Sequence, residues 1–510
     1  MIEHLIRGFF IAFKLSNFVG VALGVLLGIV LGAIPGLTGT MAIALLIPLT
    51  YYIDPVLSIS LLIGCYKGSL YGGSISAILL NTPGTPEAAA TTFDGYPLTL
   101  QGKANKALTT ALTASVMGDT FSDLVLLFSA LPIALIALKI GPPEYAMLVI
   151  FSLTIVASLA GSSLTRGLIA AFFGLLVSTV GLDPITTSRR YTFGSIELDR
   201  SLQLLPLLIG LLALSEIFIQ IEKGISGRKG DKDAIDKDQA REASVIADQG
   251  GPLTGRELLT LLPTIFRSAS IGTILGAIPG IGSITAAFLG YDQAKRSSKH
   301  PERFGKGSLE GVAAPEAANN AVCGANLIPV VTLGIPGSLS AAVLMGAFMV
   351  HGLMPGPMLM QEHPSTLYAL FILMIIANGL MYVIARPLLR VALRIITINK
   401  AILFPPIIIF CGIGAFGTDL SFFDMKVMFV FALVGYGMKK LHLSPAIFLI
   451  SFILGPLAEH AIRQSLIISQ GSIAIFFTRP IALGLIILSV ASIVWALWRK
   501  KTPFAAESEL

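Results

Sequence analysis

Apolar residues run in blocks along this chain, and polar residues gather in the short gaps between them. Val125–Ile140, Tyr145–Ala160, Ser201–Ile219, Leu367–Ile384 and Ile481–Trp498 are each long enough, or nearly so, to cross a hydrocarbon core, which takes about 20 helical residues. In lipid every backbone polar group has to be satisfied within the spanning element, which leaves helices or a closed barrel. Barrel strands alternate apolar and polar positions, and these runs do not. The pattern predicts an all-α, polytopic integral membrane protein. The opening segment Met1–Leu37 has no short apolar core ending in a small-residue cleavage site, and Lys14 interrupts it. It therefore reads as a retained amphipathic lead-in and first helix.

A repeat lies over these blocks. Leu31-Gly32-Ala33-Ile34-Pro35-Gly36 returns letter for letter as Leu275-Gly276-Ala277-Ile278-Pro279-Gly280, an offset of 244. Upstream, Gly20, Gly24, Gly28 and Gly32 match Thr264, Ser268, Gly272 and Gly276, so both segments predict helices with a stripe of small residues that admits a close neighbour. A second pair, Leu80-Asn81-Thr82-Pro83-Gly84-Thr85 and Leu333-Gly334-Ile335-Pro336-Gly337-Ser338, is offset by 253, the extra residues fitting the longer polar loop Tyr291–Glu310. Between the halves, Glu222–Gly251 is rich in Lys, Asp and Gly and reads as a flexible linker. The predicted organisation is a first transmembrane repeat at 1–220, a polar cytoplasmic linker at 221–258, a second repeat at 259–478, and an extra C-terminal helix with a basic tail at 479–510.

Charge adds an orientation. Lys103 and Lys106 follow the second motif of the first half, where the second half has only Glu362. The loop after the first motif holds Asp54 alone in the first half but Lys295, Arg296, Lys299, Arg303 and Lys306 in the second. Equivalent loops with opposite bias predict inverted topology under the positive-inside rule. Arg386, Arg390, Arg394, Lys400, Lys439-Lys440 and Arg499-Lys500-Lys501 are then cytoplasmic, whereas Arg189, Arg190 and Arg200 fall on the outside and fit less well. The chain is 54% hydrophobic and only 13% charged, with a mean hydropathy of +0.83. Its net charge of +6 sits in loops, without the basic-aromatic patch of a nucleic-acid binder. Cys65, Cys323 and Cys411 lie in or beside apolar runs and make no disulfide or metal spacing.

Pro-Gly pairs inside apolar runs break helices, and the freed backbone survives at membrane depth only inside protein or beside a wet cavity. Four such breaks, at Pro35-Gly36, Pro83-Gly84, Pro279-Gly280 and Pro336-Gly337, predict re-entrant hairpins. Small polar residues follow each: Thr38, Gly39 and Thr40; Thr85; Gly282, Ser283 and Thr285; Ser338 and Ser340. A helix restarting there aims N–H groups at an anion, while unwound carbonyls and hydroxyls suit sodium. A single break of this kind is more simply a packing kink; repetition in matched pairs favours function. Ionisable residues in apolar runs give further candidates. Lys67, among small residues, could meet a substrate carboxylate or snorkel to an interface. Asp119 and Asp123, one turn apart, could bind a cation or cap an interface. Glu316 with Asn319 and Asn320 could coordinate a cation, form the lip of the site, or cap a cytoplasmic helix end. His351, His363 and His460 are isolated. There is no phosphate loop, Gly305-Lys306-Gly307-Ser308 having the wrong spacing, and no HExxH, so an enzyme reading has little support.

Gly72-Gly73-Ser74, Asn81-Thr82-Pro83-Gly84, Asp94-Gly95-Tyr96-Pro97 and Gly311-Val312-Ala313-Ala314-Pro315-Glu316-Ala317-Ala318-Asn319-Asn320 resemble the large membrane subunit of tripartite tricarboxylate transporters. The resemblance spans nearly the whole chain and is weakest in the linker and last helix. It implies a multi-pass permease of a bacterial inner membrane, not an enzyme, working with a small membrane subunit and a periplasmic solute-binding protein. It implies uptake of small carboxylates on a sodium or proton gradient, without a cofactor, and an elevator-like motion; a homodimer is compatible with it. On this reading substrate would contact Pro35, Gly36, Thr38, Gly39, Thr40, Lys67, Asn81, Thr82, Pro83, Gly84, Thr85, Gly280, Gly282, Ser283, Pro336, Gly337 and Ser338. A coupling cation, sodium at the breaks if it is a metal, would use Asn81, Asp119, Glu316, Asn319, Asn320 and Gly334. Lys67 is not carried over from the family. A stand-alone anion exchanger of the same architecture is the alternative.

Overall fold

The computed structural model describes residues 2–159, 163–183, 185–226, 250–391, 396, 400–417 and 420–499. Most of the linker reading at 221–258, together with Arg394 and the tail after Arg499, lies outside the described residues. Helices dominate. The first half runs α1 (Ile2–Ala12), α2 (Leu15–Ala33), α3 (Gly39–Thr50), α4 (Pro55–Leu80), α5 (Ala89–Leu100), α6 (Ala104–Ala137), α7 (Pro142–Leu159), α8 (Leu164–Ser178) and α9 (Leu204–Lys223). The second half runs α10 (Gly255–Gly276), α11 (Gly282–Ser297), α12 (Leu309–Leu333), α13 (Leu339–Val350), α14 (Pro364–Leu388), α15 (Lys400–Gly417), α16 (Phe422–Lys440), α17 (Pro445–Ile468) and α18 (Pro480–Arg499).

Among the described residues six helices, α2, α6, α9, α10, α14 and α17, are long and apolar enough to cross a membrane. The apolar run Val125–Ile140 turns out to be the end of α6, a single 34-residue helix whose first part carries Thr109, Thr110, Ser115, Asp119, Ser122 and Asp123 on buried positions. Two further helices of spanning length, α4 and α12, are studded with polar and small residues and are buried on nearly every side. A helix buried all round needs no apolar stripe, which is why periodicity in these two segments says little.

Both enclosed helices have explicit start and stop signals. Asp54 caps α4 by accepting from Val56 N at 3.0 Å and Leu57 N at 3.2 Å, with Pro55 in the first turn. The helix stops at Asn81, which turns left-handed with φ 52°. Ser308 caps α12, and Gly334, at the matching position of the repeat, stops it with φ 70°. Asparagine and glycine are the residues that tolerate this conformation at a helix end.

The small-residue stripes fit their helices together. A Cβ on Gly24, Gly28 or Gly32 would collide with the carbonyls of Leu61, Cys65 and Ser69, so α2 and α4 pack in parallel with backbones in contact. In the second half Gly272 meets Ala318 and Gly276 meets Val322, pairing α10 with α12 in the same way. The break after α2 reverses the chain. Gly39 lies beside Ser69, whereas the Thr50 carbonyl accepts from Ser58 Oγ at 3.0 Å, so α3 runs back along α4. Likewise Gly290 lies against Ala314 and Ala318, and Ala286 against Ala318 and Val322, so α11 runs back along α12. The first break of each half thus makes a helical hairpin, α2 with α3 and α10 with α11. Between the halves, Ser74 of α4 meets Glu316 of α12, while Lys67 and Gly324 both meet Asp123. The two equivalent helices therefore cross in opposite directions.

Charges sort to two ends. Lys439 and Lys440, just before α17, pair with Glu216 and Glu222 at 2.6 Å each. Arg463, 18 residues beyond Pro445 and so ~27 Å along this helix, joins Glu459, Asp183 and Arg190. Arg189 pairs with Asp199 at 2.9 Å. Arg189 and Arg190, two of the three arginines that fit the orientation poorly as bare charges, are therefore compensated by nearby acids.

Candidate functional site

The two breaks of each half touch. Past the end of α4 the chain folds back, and Gly84 N donates to the Gly73 carbonyl at 3.1 Å. A Cβ on Gly84 would strike the Gly32 carbonyl. In the second half the equivalent Gly337 lies against Asn326 and the Gly276 carbonyl, and its own carbonyl accepts from Gly280 N at 2.8 Å. Gly36 and Gly280, equivalent in the repeat, have φ 91° and 88°, a conformation that glycine alone adopts without strain.

The breaks also cross between halves, at two junctions. At the first, Thr40 Oγ1 and Ser340 Oγ share a buried hydrogen bond of 2.8 Å. Thr38 caps α3 by accepting from Met41 N, and Ser338 caps α13 by accepting from Ala341 N and also takes Asn326 Nδ2 at 3.0 Å. Two 12-residue helices thus bring their N-termini to one place, each carrying about half a positive charge. Pro35, Gly36, Thr38 and Ser338 are half-buried there, whereas Gly39, Pro336 and Gly337 are buried. At the second junction Ser283, at the start of α11, donates to Glu87 Oε1 at 3.3 Å. Glu87 occupies the repeat position of Ser340. One junction is lined by hydroxyls, and its counterpart already holds a carboxylate.

Other predicted residues fall around this core. Thr85 Oγ1 is buried over Gly73 without a hydrogen-bond partner. Thr82 and Pro83 are half-buried, Asn81 is exposed at its helix cap, and Gly282 borders open space. Gly334 lies against the Pro355 carbonyl as a helix stop, with no side chain to offer a cation.

Lys67 is fully buried, which excludes snorkelling. Its ammonium lies 2.8 Å from Asp119 and 2.7 Å from Asp123 and donates to Asn378 Oδ1 at 3.2 Å. Three protons meet three acceptors, so this lysine is committed to the protein rather than open to a substrate. Asn378 Nδ2 donates to Asp123 Oδ2 at 2.8 Å and to Thr120 at 3.1 Å. The cluster carries one surplus negative charge, and Asp119 Oδ1 and Asp123 Oδ1 have no hydrogen-bond partner.

Glu316 lies in the middle of α12 and is fully buried, so it caps no helix end. Ser74 and Thr91 donate to Oε1 at 2.5 Å each and Ser115 to Oε2 at 2.9 Å. Asn320 Nδ2 donates to Ser115 Oγ at 2.9 Å, and its Oδ1 is unpartnered. Asn319 is buried with neither side-chain polar atom paired.

Glu87, Asn326, Asn378 and the hydroxyls around Glu316 escape a reading of the sequence, because each acquires its role from partners far along the chain. Asp94 also carries more than its motif suggests. Its Oδ1 accepts from the backbone N–H groups of Gly305, Gly307 and Ser308 at 2.7–2.9 Å, and Tyr291 donates to Oδ2 at 2.9 Å. It clamps the start of α12 to the first half.

The chain has relatives. A protein of Agrobacterium vitis described as an uncharacterized 52.8 kDa protein in the TAR-I ttuC' 3' region is 36% identical over 497 residues, 98% of this chain and 96% of that one. An uncharacterized protein in the TAR-II ttuC' 3' region of the same organism is 38% identical over 226 residues, 44% of this chain and 93% of that one. No solved structure matches. The profile of the tripartite tricarboxylate transporter TctA family matches residues 18–450. With broken helices from two oppositely running halves enclosed in a multi-pass helical bundle, this chain belongs to the tripartite tricarboxylate transporter TctA family.

Proposed function

We propose that the chain is the permease subunit of a binding-protein-dependent secondary transporter that takes up small organic carboxylates, and that the carboxylate docks where α3 and α13 begin. One observation carries this reading: two helix N-termini are tied together by the Thr40–Ser340 hydrogen bond, with Thr38 and Ser338 half-buried beside it. Backbone N–H groups and helix dipoles converging at a break inside the bilayer are the means by which secondary transporters hold anionic groups. The opposite junction, where Glu87 already faces Ser283, repels an anion and leaves the first as the preferred seat.

A small membrane subunit, a periplasmic solute-binding protein and a bacterial inner membrane complete the proposal, in line with the family. Uptake is driven by a sodium or proton gradient. The body carrying the breaks, built around α4 and α12, slides past a scaffold as an elevator. Reconstitution tests this. Proteoliposomes containing both membrane subunits, given the binding protein and a panel of radiolabelled di- and tricarboxylates, should accumulate at least one of them when an inward ion gradient is imposed. Accumulation without any gradient, or of none of the panel, would overturn the proposal.

A further inference from the structure

Glu316 is the one buried carboxylate of α12, and among the described residues no cation pairs with it. It faces only oxygens and an amide. An isolated ionised carboxylate in a water-free interior is expensive, so buried acids are paired with a cation, protonated or hydrogen-bonded. The surroundings say which. Ser74 of α4, Thr91 of α5 and Ser115 of α6 bring three hydroxyl oxygens to the two carboxylate oxygens. Asn320, one turn further along α12, donates from Nδ2 to Ser115 Oγ and to the Glu316 backbone carbonyl, and its fully buried Oδ1 has no hydrogen-bond partner.

We infer that Glu316, Ser74, Thr91, Ser115 and Asn320 form a binding site for a single sodium ion. The donors are all hard oxygens, the set that selects alkali and alkaline-earth ions over transition metals. The set carries one negative charge, which one monovalent cation neutralises and a divalent one would overshoot. No group of three or more His, Cys, Asp or Glu converges among the described residues, which leaves no multi-acid cage for calcium or magnesium. A proton would also neutralise Glu316 but would engage a single acceptor, whereas three hydroxyl oxygens gather on this carboxylate. Hydroxyls suit a reversible site because each turns its lone pair to the cation or its proton to the carboxylate.

The position links the ion to the transport site. Ser74 follows Gly73, whose carbonyl holds Gly84 of the second break, and Thr91 lies one turn beyond Glu87 at the second junction. An ion drawing in Ser74 and Thr91 therefore fixes both sides of that break. The inference deepens the proposed symport and rests on it only for this coupling role.

The test is ion binding by purified, full-length protein in lipid nanodiscs. Thermal unfolding is followed while NaCl replaces choline chloride at constant ionic strength, with KCl as comparison. Sodium should raise the midpoint saturably and potassium should not. Thr91→Ala and Ser115→Ala should raise the apparent Kd for sodium about tenfold each, the loss of one good ligand, and Thr91→Ser should restore it. Glu316→Gln should abolish the sodium response. A response identical in sodium, potassium and choline, or one that persists in Glu316→Gln, would overturn the site, as would stabilisation that follows pH but not sodium. If sodium binds while no carboxylate is taken up, the site stands and the proposed function falls. If a gradient drives carboxylate uptake while sodium does not bind, the function stands and the site falls.

Discussion

Replacing Lys67 with methionine removes the one cation of a closed cluster and leaves Asp119 and Asp123 facing each other, both fully or almost fully buried. The cluster goes from a charge of −1 to −2. Removing one partner of a buried ion pair destabilises a protein by roughly 3–5 kcal/mol, because the other charge is left desolvated. The Lys67 ammonium spends all three of its protons on Asp119, Asp123 and Asn378, so Lys67→Met should fall at the upper end of that range. Asp119→Asn should behave oppositely. It leaves a neutral Lys67–Asp123 pair still bonded to Asn378, and its effect should stay within about 1 kcal/mol. The triple variant Lys67→Met/Asp119→Asn/Asp123→Asn, which leaves no buried charge in the cluster, should recover most of the loss, a coupling that a cycle of single and multiple substitutions isolates. Denaturant titration of the protein in mixed micelles, read by tryptophan fluorescence and gel filtration, supplies these differences. If Lys67→Met is as stable as wild type and only its KM for carboxylate rises, the lysine reads substrate and the closed-cluster account is wrong.

Three further outcomes follow from the same structure. Gly28→Val should prevent accumulation of folded protein, because a side chain there collides with the Cys65 backbone. Gly379→Ala, with nothing within 4 Å, should leave yield and melting unchanged. Thr40→Val and Ser340→Ala should each raise the uptake KM for carboxylate about tenfold while leaving folded yield unaltered, as measured in proteoliposomes; unchanged KM in both would remove the first junction as the anion seat. In the loop between α8 and α9, the Arg463 guanidinium and the Thr186 and Ile185 N–H groups hold Asp183 well below the usual carboxylate range. A depressed folded pKa contributes stability above the unfolded value, about 3.9, and loses it as pH falls further. Asp183→Asn should therefore melt earlier than wild type at pH 7, and the gap should shrink below pH ~4; a gap independent of pH would contradict the ion pair.

Much of this was legible in residues whose demands are local. The Leu31–Gly36 and Leu275–Gly280 repeat implies matched breaks, and Gly36 and Gly280 adopt matching left-handed turns because only glycine fits them. Asn81 and Gly334 are different letters doing one job, the helix stop, which explains why the second motif looks weaker as text than as structure. Residues whose meaning comes from distant partners were not legible. Lys67 reads as an open cation until Asp119, Asp123 and Asn378 arrive from α6 and α14. Glu316 reads as a possible helix cap until Ser74, Thr91 and Ser115 close over it. The apolar pattern also misleads where burial is complete: α4 and α12 are too polar to look like spans, yet they form the enclosed centre, because protein rather than lipid surrounds them.

The meeting of Thr40 with Ser340, 300 residues apart in the chain, is the most direct point of measurement. Cysteines placed at both positions, with Cys65, Cys323 and Cys411 replaced, should cross-link rapidly with a short bifunctional reagent in membranes, and a transported carboxylate should slow the reaction. Absence of cross-linking, or cross-linking that carboxylate leaves untouched, would contradict an anion seat built from the two helix starts.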